Sequence, residues 1–156
     1  MVDSDDNRAY LAGLRMLARR ELSERQVRTR LTRREYPPEH IDAAVMRLRE
    51  ERAIDDARTA RAIARTAVST RGHGKRRVRM QVDAAGIDQA IASAAVDEVF
   101  KEIDVNALLQ AAVTRRLRGR TGVADTREAA RLFRYLIGQG FDRDRVMDAL
   151  RKVRAT

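Results

Sequence analysis

Residues 71–79, Arg-Gly-His-Gly-Lys-Arg-Arg-Val-Arg, hold five cations, two glycines and a histidine in nine positions, with no acid. Three chemistries could use such residues. Glycines ahead of a lysine can cradle phosphate, but the loop pattern GxxxxGK[ST] lacks its first glycine here, and Arg76 stands where its hydroxyl residue belongs. His73 could serve as a base only beside an orienting carboxylate, and no acid lies within nine residues of it. Gly-Gln-Gly at 138–140 is too short for a dinucleotide fingerprint. Asp55-Asp56 offers metal-type ligands but reads as the start of a helix. What remains is electrostatic: guanidinium forks suited to phosphate or carboxylate. No catalytic, cofactor-binding or metal site assembles, and no enzyme is expected.

The whole composition leans the same way. Thirty of the 33 basic residues are arginine, against 23 acids, for a net charge of +10. That balance favours an anionic partner, nucleic acid first. Aromatic residues are only 4%, so base stacking is not the expected mode of contact. Cysteine is absent, which excludes disulfides, zinc–thiolate sites and a thiol nucleophile. No apolar run nears the roughly 18 residues of a membrane span, and the N-terminus has no signal-peptide pattern. A cytoplasmic protein, monomeric and without cofactors, is expected.

The elements that position these charges are helices almost throughout, because apolar residues recur at three to five positions and show no sustained period-two alternation. One pattern appears three times, anchored on Tyr36, Ile87 and Phe141, with apolar residues at −9, −5, +5, +9 and +12. The copies are Val27, Leu31, Ile41, Val45 and Leu48; Val78, Val82, Ala92, Val96 and Val99; and Leu132, Leu136, Val146, Leu150 and Val153. The −9 and −5 residues share one helix face. The anchor follows a break, after Gly86 and Gly140 in two copies and before Pro37-Pro38 in the other. The later positions form the inward stripe of a second helix, with Asp88 and Asp142 placed to cap it. A further amphipathic helix precedes each pair, near 8–20, 56–69 and 105–117.

The predicted fold is therefore all-α. A flexible tail (1–8) precedes three-helix repeats at 9–55, 56–104 and 105–156, and Gly72 and Gly74 form a flexible lead into a helix starting near Lys75. Charge is uneven: residues 1–55 hold 12 bases and 11 acids, and residues 106–156 hold 12 and five. The middle helix of each repeat exposes arginines. With Val78 and Val82 inward, Arg76 points away and Arg77 and Arg79 flank the core; with Leu132 and Leu136 inward, Arg127 and Arg134 point outward and Arg131 flanks. The candidate binding residues are Arg25, Arg28 and Arg33; Arg71, Lys75, Arg76, Arg77 and Arg79; Arg115, Arg116, Arg118 and Arg120; and Arg127, Arg131 and Arg134. Arg19, Arg20, Arg34, Arg115 and Arg116 sit where they complement helix dipoles.

Four stretches carry a family resemblance: AGLRMLARRELSERQVRTRL (12–31), EHIDAAVMRLREERAIDDAR (39–58), RGHGKRRVRMQVDAAGI (71–87) and FRYLIGQGFDRDRVMDAL (133–150). Together they resemble the bacterial RecX family, regulators of the RecA recombinase. The resemblance implies three tandem three-helix repeats in an elongated, curved molecule. It implies a non-enzymatic inhibitor that binds the RecA–DNA filament and suppresses its ATPase, strand-exchange and coprotease activities, modulating recombination, DNA repair and the SOS response. Contact with single- and double-stranded DNA is expected to be weak and non-specific. Thr59 departs from the family's usual aromatic, implying a weaker contact there, and Gln139 departs from its usual arginine. The alternative from another class is a sequence-independent DNA-binding protein that acts on DNA directly.

Overall fold

The structure, a computed structural model, describes residues 4–154. The described residues form nine helices and no strand: α1 (Ser4–Arg19), α2 (Glu24–Arg33), α3 (Pro38–Glu50), α4 (Asp56–Arg71), α5 (Lys75–Ala84), α6 (Gln89–Lys101), α7 (Val105–Leu117), α8 (Thr126–Gly138) and α9 (Arg143–Arg154). α1 starts earlier than expected. Residues 4–8, read from the sequence as tail, are its opening turns, with Asp5 and Asp6 at the end where the helix dipole favours acids. Residues 1–3 lie outside the described residues.

The three-copy pattern is a packing pattern. All of its positions are buried except Tyr36, which is half-buried. Each Val or Leu so buried contributes roughly 1.5–3 kcal/mol. The −5 spacing has a backbone cause. Tyr36 N donates to Leu31 O and Phe141 N to Leu136 O (both 3.3 Å), while Glu35 N donates to Thr32 O (2.9 Å) and Gly140 N to Ile137 O (3.0 Å). This is the closure that ends a helix on a left-handed residue and brings the anchor against the −5 side chain. The left-handed residue directly before each anchor is Glu35 (φ 62°), Gly86 (φ 74°) or Gly140 (φ 96°).

Polar side chains start the helices. Ser23 and Gln26 form a reciprocal capping box on α2. Asp104 and Asp125 accept from Ala107 N (3.0 Å) and Glu128 N (2.8 Å). Asp88 and Asp142 accept from Ala90 N (3.0 Å) and Asp144 N (2.9 Å), as their positions implied.

The chain packs as two compact units, Met1–Ala62 with Val82–Ala95 and Ile63–Gln81 with Val96–Thr156. In the first, α1, α2 and α3 enclose Ala9, Leu22, Val27, Leu31, Val45 and Leu48. In the second, α7, α8 and α9 enclose Leu109, Val113, Leu132, Leu136, Phe141 and Val146. The division falls within α4, α5 and α6, so repeat unit and packing unit are different divisions of the chain.

Candidate functional site

The Gly-His-Gly stretch is not a loose lead. Gly72 (φ 64°) ends α4, and Gly72, His73 and Gly74 are all buried. Gly74 N donates to Gln139 O (2.8 Å) and Arg76 N to Gly140 O (3.1 Å), so the turn before α5 is bonded to the turn after α8. A Cβ on Gly74 would lie 2.6 Å from the Gly140 carbonyl carbon, and one on Gly140 would lie 2.6 Å from Arg77 Cβ. Two glycine turns thus meet backbone to backbone. The amides a phosphate loop would offer are already committed to carbonyl oxygens.

His73 is buried, and its Nδ1 lies 3.1 Å from Gln81 Nε2. Burial, and then the charges of Arg77, Arg71 and Arg115, push its pKa below the ordinary histidine value. It is a neutral residue within the packing. Asp55 and Asp56 serve helix starts: Asp55 accepts from Arg58 N (3.0 Å) and Asp56 from Glu24 N (2.9 Å). Among the described residues no cluster of acids and histidines could hold a metal ion, and no helix is long and apolar enough to cross a membrane.

The fifteen candidate cations fall into distinct environments. Arg33, Arg71, Arg76, Arg118, Arg127 and Arg134 are exposed, and so is Arg131, which the periodicity placed at the core margin. Arg77 and Arg79 flank the core and are half-buried, Arg77 with Nη1 3.4 Å from Gly138 O. Several others are engaged within the fold. Arg28 pairs with Glu24 (3.1 Å) and Asp42 (2.6 Å). Arg25 lays its side chain along Gly86, and the Arg115 guanidinium lies on Gly72. Arg116 covers the Tyr135 ring at 4.7 Å. Lys75 pairs with Asp97 at 2.7 Å and holds that carboxyl below the usual carboxylate range. Arg120 pairs with Glu128, which also accepts from Ala124 N; Arg120 first, then that amide, lower the Glu128 pKa to about 2. These two residues tie down the α7–α8 connection.

α5 opens on Lys75, Arg76 and Arg77 with no acid in its first turn, where the helix dipole disfavours cations. Among the described residues, only Lys75 of these has a carboxylate partner. Beside this turn the second unit carries a groove that the sequence did not reveal. Phe100, Phe133, Ile137 and Phe141 line its apolar side, and Arg76, Lys101 and Arg143 line its charged side. Met80, also lining it, is 64% exposed; an apolar residue on the outward face of α5 was the available signal. Arg143 stands over Phe133 at 5.9 Å. Thr59 replaces the expected aromatic contact with a buried polar one, its hydroxyl 3.2 Å from Glu21 Oε2 and 3.3 Å from Leu22 O.

Residues 9–48 match the description "RecX, first three-helix domain", and residues 55–96 match "RecX, second three-helix domain". The regulatory protein RecX of Halorhodospira halophila is 36% identical over 88% of this chain and 83% of its own. That of Acidithiobacillus ferrooxidans is 35% identical over 88% and 85%, and that of Chlorobium phaeobacteroides 27% identical over 98% of each. The crystal structure of RecX from Lactobacillus salivarius has the same fold, with a TM-score of 0.77, 19% identity and 96% of each chain covered.

Proposed function

This chain belongs to the RecX family, and on that footing we propose that it regulates RecA by binding the RecA–DNA filament and suppressing its ATPase, strand-exchange and coprotease activities. In the cell it modulates recombination, DNA repair and the SOS response, from the cytoplasm and without catalysis of its own. The observation that carries the reading is the set of exposed arginines on middle helices α2, α5 and α8 of the repeated motif. Among the described residues Arg76, in the first turn of α5, has no carboxylate partner, and an anionic surface supplies one. Repeated modules can engage neighbouring filament subunits together, and linked contacts raise avidity without new chemistry.

The deciding measurement is DNA-dependent ATP hydrolysis by the cognate recombinase, with and without this protein. Suppression is expected at stoichiometric amounts, and an unchanged rate there rejects the proposal. Arg76→Glu, Arg127→Glu and Arg134→Glu together are expected to weaken suppression while leaving helix content unchanged, because all three side chains are exposed. The same arginines also favour a second reading, direct sequence-independent DNA binding. It requires tight binding to bare DNA with a steep salt dependence, whereas the filament reading requires preference for recombinase-coated over bare DNA at physiological salt.

A further inference from the structure

The groove of the second unit is open, about 1180 Å³ in volume, and lined from α5, α6, α8 and α9. Its floor is apolar: Val96, Phe100 and Phe141 are buried, and Phe133 and Ile137 half-buried. At its lip stands Met80 of α5, 64% exposed. A methionine left this far in water forgoes the gain of burial, and its flexible thioether adapts to whatever is laid against it.

The charge around this floor is mostly of one sign. Six of the lining residues are cationic and two are acidic. Both acids are engaged within the fold: Asp97 pairs with Lys75 at 2.7 Å, and Asp142 accepts from Asp144 N at 2.9 Å. The groove is thus an apolar strip between cations, complementary to apolar side chains flanked by carboxylates. Nucleic acid fits it poorly. Phe100 and Phe141 are buried and Phe133 lies beneath Arg143, so the rings form no open platform for a base. The volume also exceeds the roughly 300–1,000 Å³ of a small-molecule site. Because the walls are helices, they offer no strand edge to extend, and the occupant docks through side chains, as an amphipathic helix lies in a groove.

We propose that this groove binds an acidic amphipathic helix of a partner protein, its apolar stripe on the phenylalanine floor and its carboxylates on Arg76, Lys101 and Arg143. The proposal does not rest on the recombinase reading, because it is tested with a peptide alone; either can fail while the other stands. The probe is a fluorescein-labelled peptide of roughly 15 residues, with leucine and phenylalanine along one helical face and glutamate on its flanks. It is titrated with the full chain and read by anisotropy, and saturable binding is expected. A peptide of the same composition with its apolar residues dispersed around the helix is expected to bind about tenfold more weakly or worse. Met80→Glu is expected to weaken binding of the first peptide by a similar factor, whereas Met80→Leu keeps the apolar contact and is expected to stay within about twofold. Arg76→Glu, at an exposed site, is expected to weaken binding as well, and it carries the test if Met80→Glu loses helix content. Absence of saturable binding, equal affinity for the two peptides, or unchanged affinity in the variants overturns the proposal. So does a mixed-sequence single strand that displaces the labelled peptide at lower concentration than the unlabelled peptide does, which would assign the groove to nucleic acid. A concentration-dependent dimer in sedimentation that Met80→Glu dissolves also overturns it, by assigning the groove to a second copy of this chain.

Discussion

The first and third three-helix groups place the same repeat positions in their cores but dispose of their arginines in opposite ways. Residues 1–55 are nearly neutral, with 12 bases against 11 acids, yet contain a cleft lined by six arginines. Their acids pair with Arg28, Arg47, Arg49 and Arg58, and among the described residues none pairs with the arginines at the ends of α1 and α2. Residues 106–156 carry 12 bases against five acids, but several of those bases support the fold. Arg116 covers Tyr135, Arg143 stands over Phe133, Arg120 holds Glu128, and Arg145 donates to Asn106 (2.7 Å). Net charge along a sequence is therefore a poor locator of clustered arginines without carboxylate partners. The segregation of charge between faces decides, and it depends on which helices meet.

The two groups also differ at the residue before the repeat anchor, and that difference supports the largest expected effect. The first group puts Glu35 in the left-handed position and the third puts Gly140 there. Only the third has backbone packed against it, with Gly74 O 2.8 Å from where a Cβ on Gly140 would sit. Gly140→Val combines left-handed strain with a clash that backbone cannot relieve, and is expected to cost about 3 kcal/mol in denaturant melts. Gly138, two residues away, has open space where its Cβ would go. Gly138→Ala is expected to be stabilising by up to about 1 kcal/mol. Similar losses from both substitutions would mean that the glycine contact is not what holds this turn.

Next in size is the contrast between Arg28 and Arg134. Both occupy middle helices and both were read from the sequence as binding residues. Arg28→Ala removes two ion pairs from a side chain 38% exposed, and is expected to cost up to about 1 kcal/mol of stability. Arg134→Ala is expected to stay within about 0.5 kcal/mol, as for an ordinary surface site, and to weaken recombinase suppression instead. If the stability losses are equal, the division into structural and displayed arginines fails.

A smaller effect separates the two histidines by sign. His40 contacts Asp6, and that hydrogen bond first, with the charges of Asp6, Glu39 and Asp5, raises its pKa. Its contribution is full below about pH 6.5 and is lost as pH rises through the raised folded value. His73 has a lowered pKa, so stability is unaffected above about pH 6.5 and falls as acid drives a proton onto the buried ring. Thermal melts across this range are expected to show His40→Gln losing stability mainly on the acid side. His73→Gln is expected to lose some at every pH, with a shallower decline on acidification. Parallel pH profiles for both variants would reject the assignment.

Much of this architecture was legible in the sequence because it is local. Helix-period spacing, the anchor breaks and the aspartate caps all act within one turn of chain. Contacts between elements were not legible. Lys75 and Asp97 are 22 positions apart, Arg28 and Asp42 are 14, and the meeting of Gly74 with Gly140 involves backbone alone. Periodicity marks the outward face of α5 but not the Phe-lined groove beside it. It likewise places Arg19, Arg20 and Arg34 at helix ends without saying that two ends share one cleft.

The smallest expected effect probes the repeat itself. Glu35 takes a left-handed conformation that costs a residue with a side chain roughly 1 kcal/mol, and the corresponding positions of the other two copies hold glycine. Glu35→Gly relieves that strain but gives the unfolded chain more freedom to lose, which offsets part of the gain. The net expectation is a stabilisation of about 0.5 kcal/mol, read as a higher urea midpoint with an unchanged m-value. An equal gain is not available at Gly86 or Gly140, where the left-handed residue is already glycine. If Glu35→Gly destabilises the protein instead, the Glu35 side chain makes a contribution that glycine cannot, and the three helix ends are alike in backbone geometry but not in what stabilises them.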